Sequence, residues 1–401
     1  MINSKILGST LIIAGTTIGA GMLALPLASA GIGFPTSLTI MLVLWLLMTY
    51  TALLMLELHQ HAPSNATLHT LAKQFLGDKG KWVASIAMLF LFYALCSAYI
   101  AGGGAQFGER VSQFTGIEVN GSIATVIFTI IVAFIVTVGT RTVDHINRIL
   151  FATKLVTMVT VLFFLAPNVT ESYLLNMPLQ QGLIVASIPV IFTSFGFHGS
   201  IPAIVNYLDG DTKALKKAVV IGSAIPLIVY LFWQIMTLGV ISQQELTESK
   251  GLSALISALA TKIHFNQLNQ IIGIFADLAL LTSFLGVSLG LFEYLGDSLN
   301  KNEGKQNRVL SAFVTFLPPM CFALFYPQGF IMALGYAAIA LAVLAIFLPV
   351  MMIKKVRKDS RYEGMYKVKG GNVSLALVSS FGVLIVAAQF LITVGYLPSL
   401  G

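Results

Sequence analysis

The chain has 401 residues, of which 57% are apolar and only 10% are charged. Soluble domains carry about 25% charged residues because their surface faces water, so this composition excludes an ordinary soluble protein and predicts a surface that faces lipid. The net charge of +7 lies in short gaps between apolar runs, which is typical of membrane orientation and not of a nucleic-acid-binding domain. Cys96 and Cys321 both fall inside apolar runs, so no disulfide framework, metal site or cofactor is predicted.

The first apolar run begins after Lys5 and continues without a charge to Glu57. Residues 28–30 (Ala-Ser-Ala) resemble a signal-peptide cleavage site, but the run before them exceeds the roughly 7–15 residues of a signal core. Because one span needs about 20 apolar residues, we expect two spans here, separated by a turn at residues 31–35.

Apolar runs of spanning length recur along the rest of the chain. They predict an all-α integral membrane protein with about 11 transmembrane helices. Residues 242–267 are more polar and predict an external loop with a partial helix. The predicted spans, numbered 1 to 11 in chain order, cover residues 6–30, 34–56, 82–107, 121–139, 149–166, 182–208, 218–241, 268–295, 309–326, 329–353 and 373–397.

The basic residues predict the orientation of these spans. If the N-terminus is inside, 19 of the 23 lysines and arginines lie in internal segments and three in external segments, and Lys154 lies within span 5. Internal segments are enriched in basic residues. We therefore expect the N-terminus in the cytoplasm and the C-terminus on the opposite side.

Two spans carry residues that weaken a helix at mid-depth. Span 1 contains Gly15, Gly19 and Gly21, and span 6 contains residues 193–200 between Pro189 and Pro202. Span 1 alone is explained equally well by close helix packing, since Gly15 and Gly19 form a G-x-x-x-G pair. However, interrupted segments at corresponding positions of two halves indicate the binding site of a transporter. We expect residues 15–21 and 193–199 to be non-helical and to face each other.

Such breaks suit a zwitterion. Unwound backbone leaves N–H and C=O groups without helical partners. The N–H groups at the start of a half-helix bind a carboxylate, and freed carbonyls accept hydrogen bonds from an ammonium group. An amino acid can thus be held with few charged side chains.

Residues 15–26 (Gly-Thr-Thr-Ile-Gly-Ala-Gly-Met-Leu-Ala-Leu-Pro) resemble the first-helix signature of bacterial aromatic amino acid permeases, and residues 188–200 resemble their sixth-helix signature. The likeness covers essentially the whole chain and continues through residues 276–279, 282–286, 325–327 and 366–371.

This resemblance implies a single transport domain over residues 1–401 with the LeuT-type fold. In that fold, two inverted five-helix repeats (about 6–166 and 182–353) pair through broken helices 1 and 6, and an extra helix follows (about 373–397). The resemblance also implies uptake of an aromatic amino acid, tyrosine by overall likeness, with protons across the inner membrane into which the chain is embedded. The C-terminus then lies in the periplasm. Sodium coupling or a broader neutral substrate range is the alternative.

Other classes of membrane protein fit less well. A channel is expected to show a ring of charges or a repeated filter motif, and an enzyme a recognisable catalytic set. The sequence shows neither.

We expect substrate-binding residues at the two breaks, among the aromatic residues beside them, on span 3 and at the carboxylate of span 8. They are Gly15, Thr16, Thr17, Gly19, Gly21, Phe192, Thr193, Ser194, Phe195, Gly196, Tyr93 and Asp277. Most membrane aromatic residues only pack. For Asp277 we favour function, because buried ionisable groups in spans are costly. Glu57 and Glu293 lie near span ends, where snorkelling or capping explains them better.

The residues expected in proton coupling are Lys154, Thr282, Ser283 and His198. In the resembled fold, an ion site lies between helix 1 and a Thr-Ser pair of helix 8, which Thr282 and Ser283 match. Lys154 falls at a similar depth, so its ammonium could replace a sodium ion, and a buried amine releases its proton more readily than one in water. A lysine near the interface can equally well snorkel to water, and His198 can equally well bond a freed carbonyl.

Overall fold

The computed structural model describes residues 2–249, 251–262, 269–299, 307–359 and 365–400, and contains no β-strand within these ranges. The α-helices of the described residues are α1 (Ile2–Thr17), α2 (Gly21–Ala28), α3 (Phe34–His59), α4 (Leu68–Thr115), α5 (Gly121–Val138), α6 (Thr140–Leu165), α7 (Glu171–Leu175), α8 (Leu183–Ser194), α9 (Ile201–Tyr207), α10 (Thr212–Val240), α11 (Gln243–Glu248), α12 (Gly251–Thr261), α13 (Asn269–Leu299), α14 (Arg308–Phe325), α15 (Phe330–Ala342), α16 (Leu348–Val356) and α17 (Gly371–Thr393).

Within the described ranges, ten helical segments are long and apolar enough to cross a membrane, and the bent pair α1–α2 makes an eleventh. This agrees with the predicted all-α membrane protein of about 11 spans. The α8–α9 segment forms span 6, and α15 continues into α16 through a π-helical turn at Val343–Phe347 to form span 10. The predicted partial helix between spans 7 and 8 is α11 and α12.

The largest differences from the predicted spans are at the starts of two helices. Helix α4 begins at Leu68 and kinks at Gly77, which has a φ of 75°, and α6 begins at Thr140 rather than near residue 149. Both extensions are polar, so hydropathy, which detects only the apolar part of a helix, does not include them.

Contacts between helix ends agree with eleven alternating spans. Lys5 at the start of α1 pairs with Asp209 after α9 at 2.9 Å, and Glu57 at the end of α3 pairs with Arg357 after α16 at 2.8 Å. These ends all lie on the side where α1 begins, here called the N-terminal side. On the opposite side, Arg110 near the end of α4 pairs with Asp277 near the start of α13 at 2.9 Å.

The centre of the molecule is built around the two broken spans. Helix α10 packs against α1 and α3, α8 packs against α2 and α15, and α13 packs against α4 and α6. Large side chains such as Tyr230 and Trp233 are fully buried there. By contrast, Phe134 and Phe163 of α5 and α6 are each 71% exposed, as expected of helix faces that contact lipid. The breaks are therefore enclosed by neighbouring helices.

Candidate binding site at two helix breaks

The first break is shorter than predicted. Helix α1 ends at Thr17 and α2 begins at Gly21, with a bend of 52° between them. Gly15, Thr16, Thr17 and Gly21 are helical, contrary to the prediction. The hydroxyls of Thr16 and Thr17 donate to carbonyls one turn earlier in α1, at 2.6 and 2.7 Å. Only residues 18–20 are unwound.

The second break is also narrower. Helix α8 ends at Ser194, residues 195–197 are irregular, and a short 3₁₀ turn at His198–Ser200 leads into α9. Thr193 and Ser194, predicted to be unwound, are the last helical residues. Thr193 donates to the carbonyls of Pro189 in its own helix and of Leu334 in α15, each at 3.0 Å.

The two breaks touch each other. The Ser194 hydroxyl donates to the Gly21 carbonyl at 3.0 Å. A Cβ at Gly21 would lie 3.1 Å from the Cα of Ser194, so the absence of a side chain at Gly21 permits this approach. The N–H groups of Gly19, Gly21 and His198 donate to no residue that the structure describes. The contact thus brings unpaired donors next to the ends of two half-helices.

Aromatic side chains enclose the second break. Phe192, Phe195 and Phe197 are each at most 1% exposed. The ring of Phe195 meets the Tyr230 ring edge-on, with 5.4 Å between centroids. Gly196 lies under Leu341 of α15, whose Cδ2 would be 3.1 Å from an added Cβ. The break is therefore enclosed by closely packed apolar side chains.

Lys154 connects three elements at the first break. Its ammonium donates to the Ile18 carbonyl at 3.0 Å and to the Thr282 hydroxyl of α13 at 3.2 Å. Beside it, the Ala20 N–H donates to the Ser283 hydroxyl at 3.0 Å. Lys154 is only 2% exposed, which argues against the snorkelling alternative. The predicted group of lysine, threonine and serine is thus brought together at residues 18–20.

His198 faces another direction. Its Nε2 lies 2.8 Å from the Thr51 hydroxyl of α3, and its Nδ1 is buried without a hydrogen-bond partner among the described residues. The expected bond to a freed carbonyl is replaced by this contact with α3, which packs against span 6.

Asp277 and Tyr93 have partners away from the breaks. Arg110 of α4 donates from its Nε to the Asp277 carboxylate at 2.9 Å. A Cβ at Gly273 would overlap the Arg110 guanidinium, so the glycine provides the groove in which Arg110 lies. The Tyr93 hydroxyl donates to the Val314 carbonyl of α14 at 2.7 Å. These contacts give no support to a substrate contact for either residue.

The sequence analysis did not single out Tyr230 or Arg110. Tyr230 lies within the apolar run of α10 and is fully buried, and its hydroxyl contacts the carbonyls of Thr17 and Ser194. A tyrosine in the middle of an apolar run was the available signal, because a buried hydroxyl needs a hydrogen-bond partner. The position of the partners depends on packing between distant segments, which the run does not reveal.

Comparison with known proteins identifies the family. A model of the tryptophan/tyrosine permease family matches residues 2–389. The chain belongs to this family. As a member of the permease family, it is a multi-pass membrane transporter and not an enzyme.

Individual permeases resemble the chain over its whole length. Tyrosine-specific transport system 1 of Haemophilus influenzae is 43% identical, over 98% of this chain and 99% of that protein. Tyrosine-specific transport system 2 of the same organism is 42% identical over 99% of both chains. The tryptophan-specific transport protein of that organism is 33% identical over 98% of both.

Proposed function

We propose that this permease imports L-tyrosine with protons across the bacterial inner membrane, with its N-terminus in the cytoplasm and its C-terminus in the periplasm. The contact between the two helix breaks carries the proposal, since it brings backbone N–H groups that have no partner among the described residues beside half-helix ends. The 43% and 42% identity to two tyrosine-specific transport systems supports tyrosine as the substrate. We also propose that spans 1–5 and 6–10 form inverted repeats of the LeuT type.

The amino and carboxyl groups of the substrate bind at the breaks in this proposal. The N–H groups of Gly19 and Gly21 lie at the start of α2, where the helix dipole favours a carboxylate. Carbonyls at the ends of α1 and α8 accept hydrogen bonds from the ammonium. Phe192 and Phe195 provide an apolar wall for the ring. Both substrate charges are then met by backbone groups, whose positions are fixed before the substrate arrives.

Selection of tyrosine over phenylalanine needs a polar partner for the phenol. We propose Tyr99 of α4 for this part. Tyr99 is 7% exposed, and its hydroxyl forms no hydrogen bond with a described residue. It lies on α4, which packs against α13 and α15, and these two helices contact the breaks through Ser283 and Leu341. A substrate phenol that bonds this hydroxyl gives tyrosine an interaction that phenylalanine cannot make.

Competition for binding tests this selectivity. The unaltered protein is expected to bind L-tyrosine roughly 10-fold more tightly than phenylalanine, and Tyr99→Phe is expected to reduce that ratio toward one. Binding of radiolabelled tyrosine to purified protein, with phenylalanine and tryptophan as competitors, measures both ratios. Equal affinity of the unaltered protein for tyrosine and phenylalanine contradicts readout of the hydroxyl.

Lys154 couples the substrate to protons in this proposal. Protonated, its ammonium holds the Ile18 carbonyl and the Thr282 hydroxyl with charge-assisted hydrogen bonds. When the proton leaves, the charge that holds residues 18–20 against α13 is lost. Protonation and the position of the first break are therefore linked, without a requirement for sodium.

Uptake into liposomes tests the coupling. An imposed proton gradient without sodium is expected to drive accumulation of tyrosine by the unaltered protein. Lys154→Ala is expected to abolish accumulation while retaining some tyrosine binding. Lys213→Ala removes an exposed lysine of α10 and serves as the control, with accumulation expected unchanged. A requirement for a sodium gradient, or normal accumulation by Lys154→Ala, overturns the assignment.

A further inference from the structure

One hydroxyl joins both helix breaks. Tyr230 of α10 is fully buried, and its hydroxyl lies 2.6 Å from the Thr17 carbonyl and 2.8 Å from the Ser194 carbonyl. Thr17 is the last residue of α1, and Ser194 is the last residue of α8. The ends of the first halves of both broken spans therefore converge on a single side chain of a third helix.

The hydroxyl cannot satisfy both carbonyls at once. A phenol has one proton to donate, whereas two carbonyl oxygens lie within hydrogen-bond distance. Neither carbonyl accepts another hydrogen bond from the residues that the structure describes. Both sit at helix C-termini, where the peptide dipoles leave partial negative charge. Among the described residues the two acceptors therefore share a single donor, on a fully buried side chain.

The hydroxyl itself is held in place. The ring edge of Phe195 packs against the Tyr230 ring at 5.4 Å between centroids. One turn further along α10, the Gln234 amide donates to the Ser29 hydroxyl at 2.6 Å, just beyond the end of α2. Helix α10 is thus hydrogen-bonded to both halves of span 1 and to the end of α8. The Tyr230 hydroxyl therefore sets the spacing of the two breaks.

We infer that Tyr230 is a positioning residue for the substrate ammonium. It holds the Thr17 and Ser194 carbonyls at one point with its single proton, and the ammonium supplies the donor that the second carbonyl lacks. An ammonium carries three donors, so it can bond the free carbonyl without displacing the hydroxyl. The inference rests on the proposed binding of an amino acid at the breaks, and extends it to a residue that need not touch the substrate.

Substitutions at position 230 that change the number of hydrogen-bond donors on the side chain test the inference. Tyr230→Phe keeps the ring and removes the proton, and is expected to weaken L-tyrosine binding by roughly 10-fold. 4-Aminophenylalanine placed at position 230 carries two N–H donors and is expected to restore binding. O-Methyltyrosine at the same position has no donor and is not expected to restore it. Binding of radiolabelled tyrosine to purified protein measures each variant.

A second readout separates positioning from simple loss of stability. The analogue 3-(4-hydroxyphenyl)lactate has a hydroxyl in place of the ammonium, so Tyr230→Phe is expected to weaken its competition much less than that of L-tyrosine. Tyr93→Phe removes a comparable hydrogen bond from a tyrosine hydroxyl to a single carbonyl, that of Val314. It is expected to leave the ratio of the affinities for the two ligands unchanged. Thermal unfolding of each variant reports on folding.

The outcomes are distinguishable. If the unaltered protein does not bind L-tyrosine, the proposed function fails. If it binds, but Tyr230→Phe binds both ligands as the unaltered protein does, the inference about Tyr230 is wrong. It is also wrong if Tyr230→Phe weakens both ligands equally. If Tyr230→Phe does not fold, the 4-aminophenylalanine and O-methyltyrosine proteins decide, since equal affinity of these two contradicts a role for the donor.

Discussion

Buried charges in this permease have specific partners that the sequence does not reveal. Glu57 was expected to snorkel or cap a helix, yet it is 1% exposed and forms two hydrogen bonds of 2.8 Å with Arg357. The Val368 N–H also donates to it at 2.7 Å. These partners lie about 300 residues away in the chain, so no local pattern indicates them. The position of Lys154, in contrast, was suggested by matching depths along two spans.

Glu57→Gln is expected to lower the free energy of unfolding by about 3 kcal/mol, because it leaves the half-buried Arg357 guanidinium without a counter-charge. Thermal unfolding in detergent measures the loss. Asp209→Asn breaks the exposed pair with Lys5 and is the control, with an expected change below about 1 kcal/mol. Equal midpoints for the two variants would show that Glu57 and Arg357 add no stability.

At the level of helices, the sequence located both breaks and overestimated their length. Glycine and proline clusters mark where a helix is weak, but hydrogen bonds decide which residues leave it. Thr16 and Thr17 remain helical, whereas Gly19 lies in the break against Ser283 of α13. That contact depends on how α13 packs, which the glycine pattern cannot show. The polar starts of α4 and α6 were missed for the related reason that hydropathy ignores them.

Gly19→Ala is expected to reduce tyrosine uptake at least 10-fold. The added Cβ would lie 2.6 Å from the Ser283 hydroxyl, so Ser283 must move away from the Ala20 N–H that donates to it. Gly286→Ala, in the same part of α13, adds a Cβ with nothing within 4 Å and is the control. Initial uptake rates in vesicles, normalised to the amount of protein, compare the two. Similar rates for both variants contradict the required approach of Gly19 to Ser283.

The whole molecule has ion pairs on both sides of the breaks. Arg110 and Asp277 join α4 to α13 on one side, and Lys5 with Asp209 joins the ends of α1 and α9 on the N-terminal side. A carrier must open one side at a time. Charge counting predicted which segments share a side, but not which residues pair. We therefore expect each pair to stabilise the closed form of its own side, so that its loss shifts the population toward the open form.

Asp277→Asn is expected to expose the centre of the molecule more often. Cys96 of α4 is fully buried, whereas Cys321 is exposed. In a Cys321→Ser background, the rate of Cys96 labelling by a thiol reagent is expected to rise about 5-fold, which corresponds to a pair of roughly 1 kcal/mol. Asp144→Asn breaks a pair within α6 and should leave the rate unchanged. An unchanged rate for Asp277→Asn means that this pair does not keep its side closed.

The contacts of Glu57 with Arg357 and Val368 also affect the stability of the chain during synthesis. Its partners Arg357 and Val368 are synthesised about 300 residues after Glu57. Until the C-terminal region arrives, this carboxylate has neither its guanidinium nor its N–H donor. A chain cut short before Arg357 keeps an unpaired acid at the end of α3. Such a fragment is expected to unfold at the end of α3 more readily than a chain that contains Arg357, because an unpaired buried charge is destabilising.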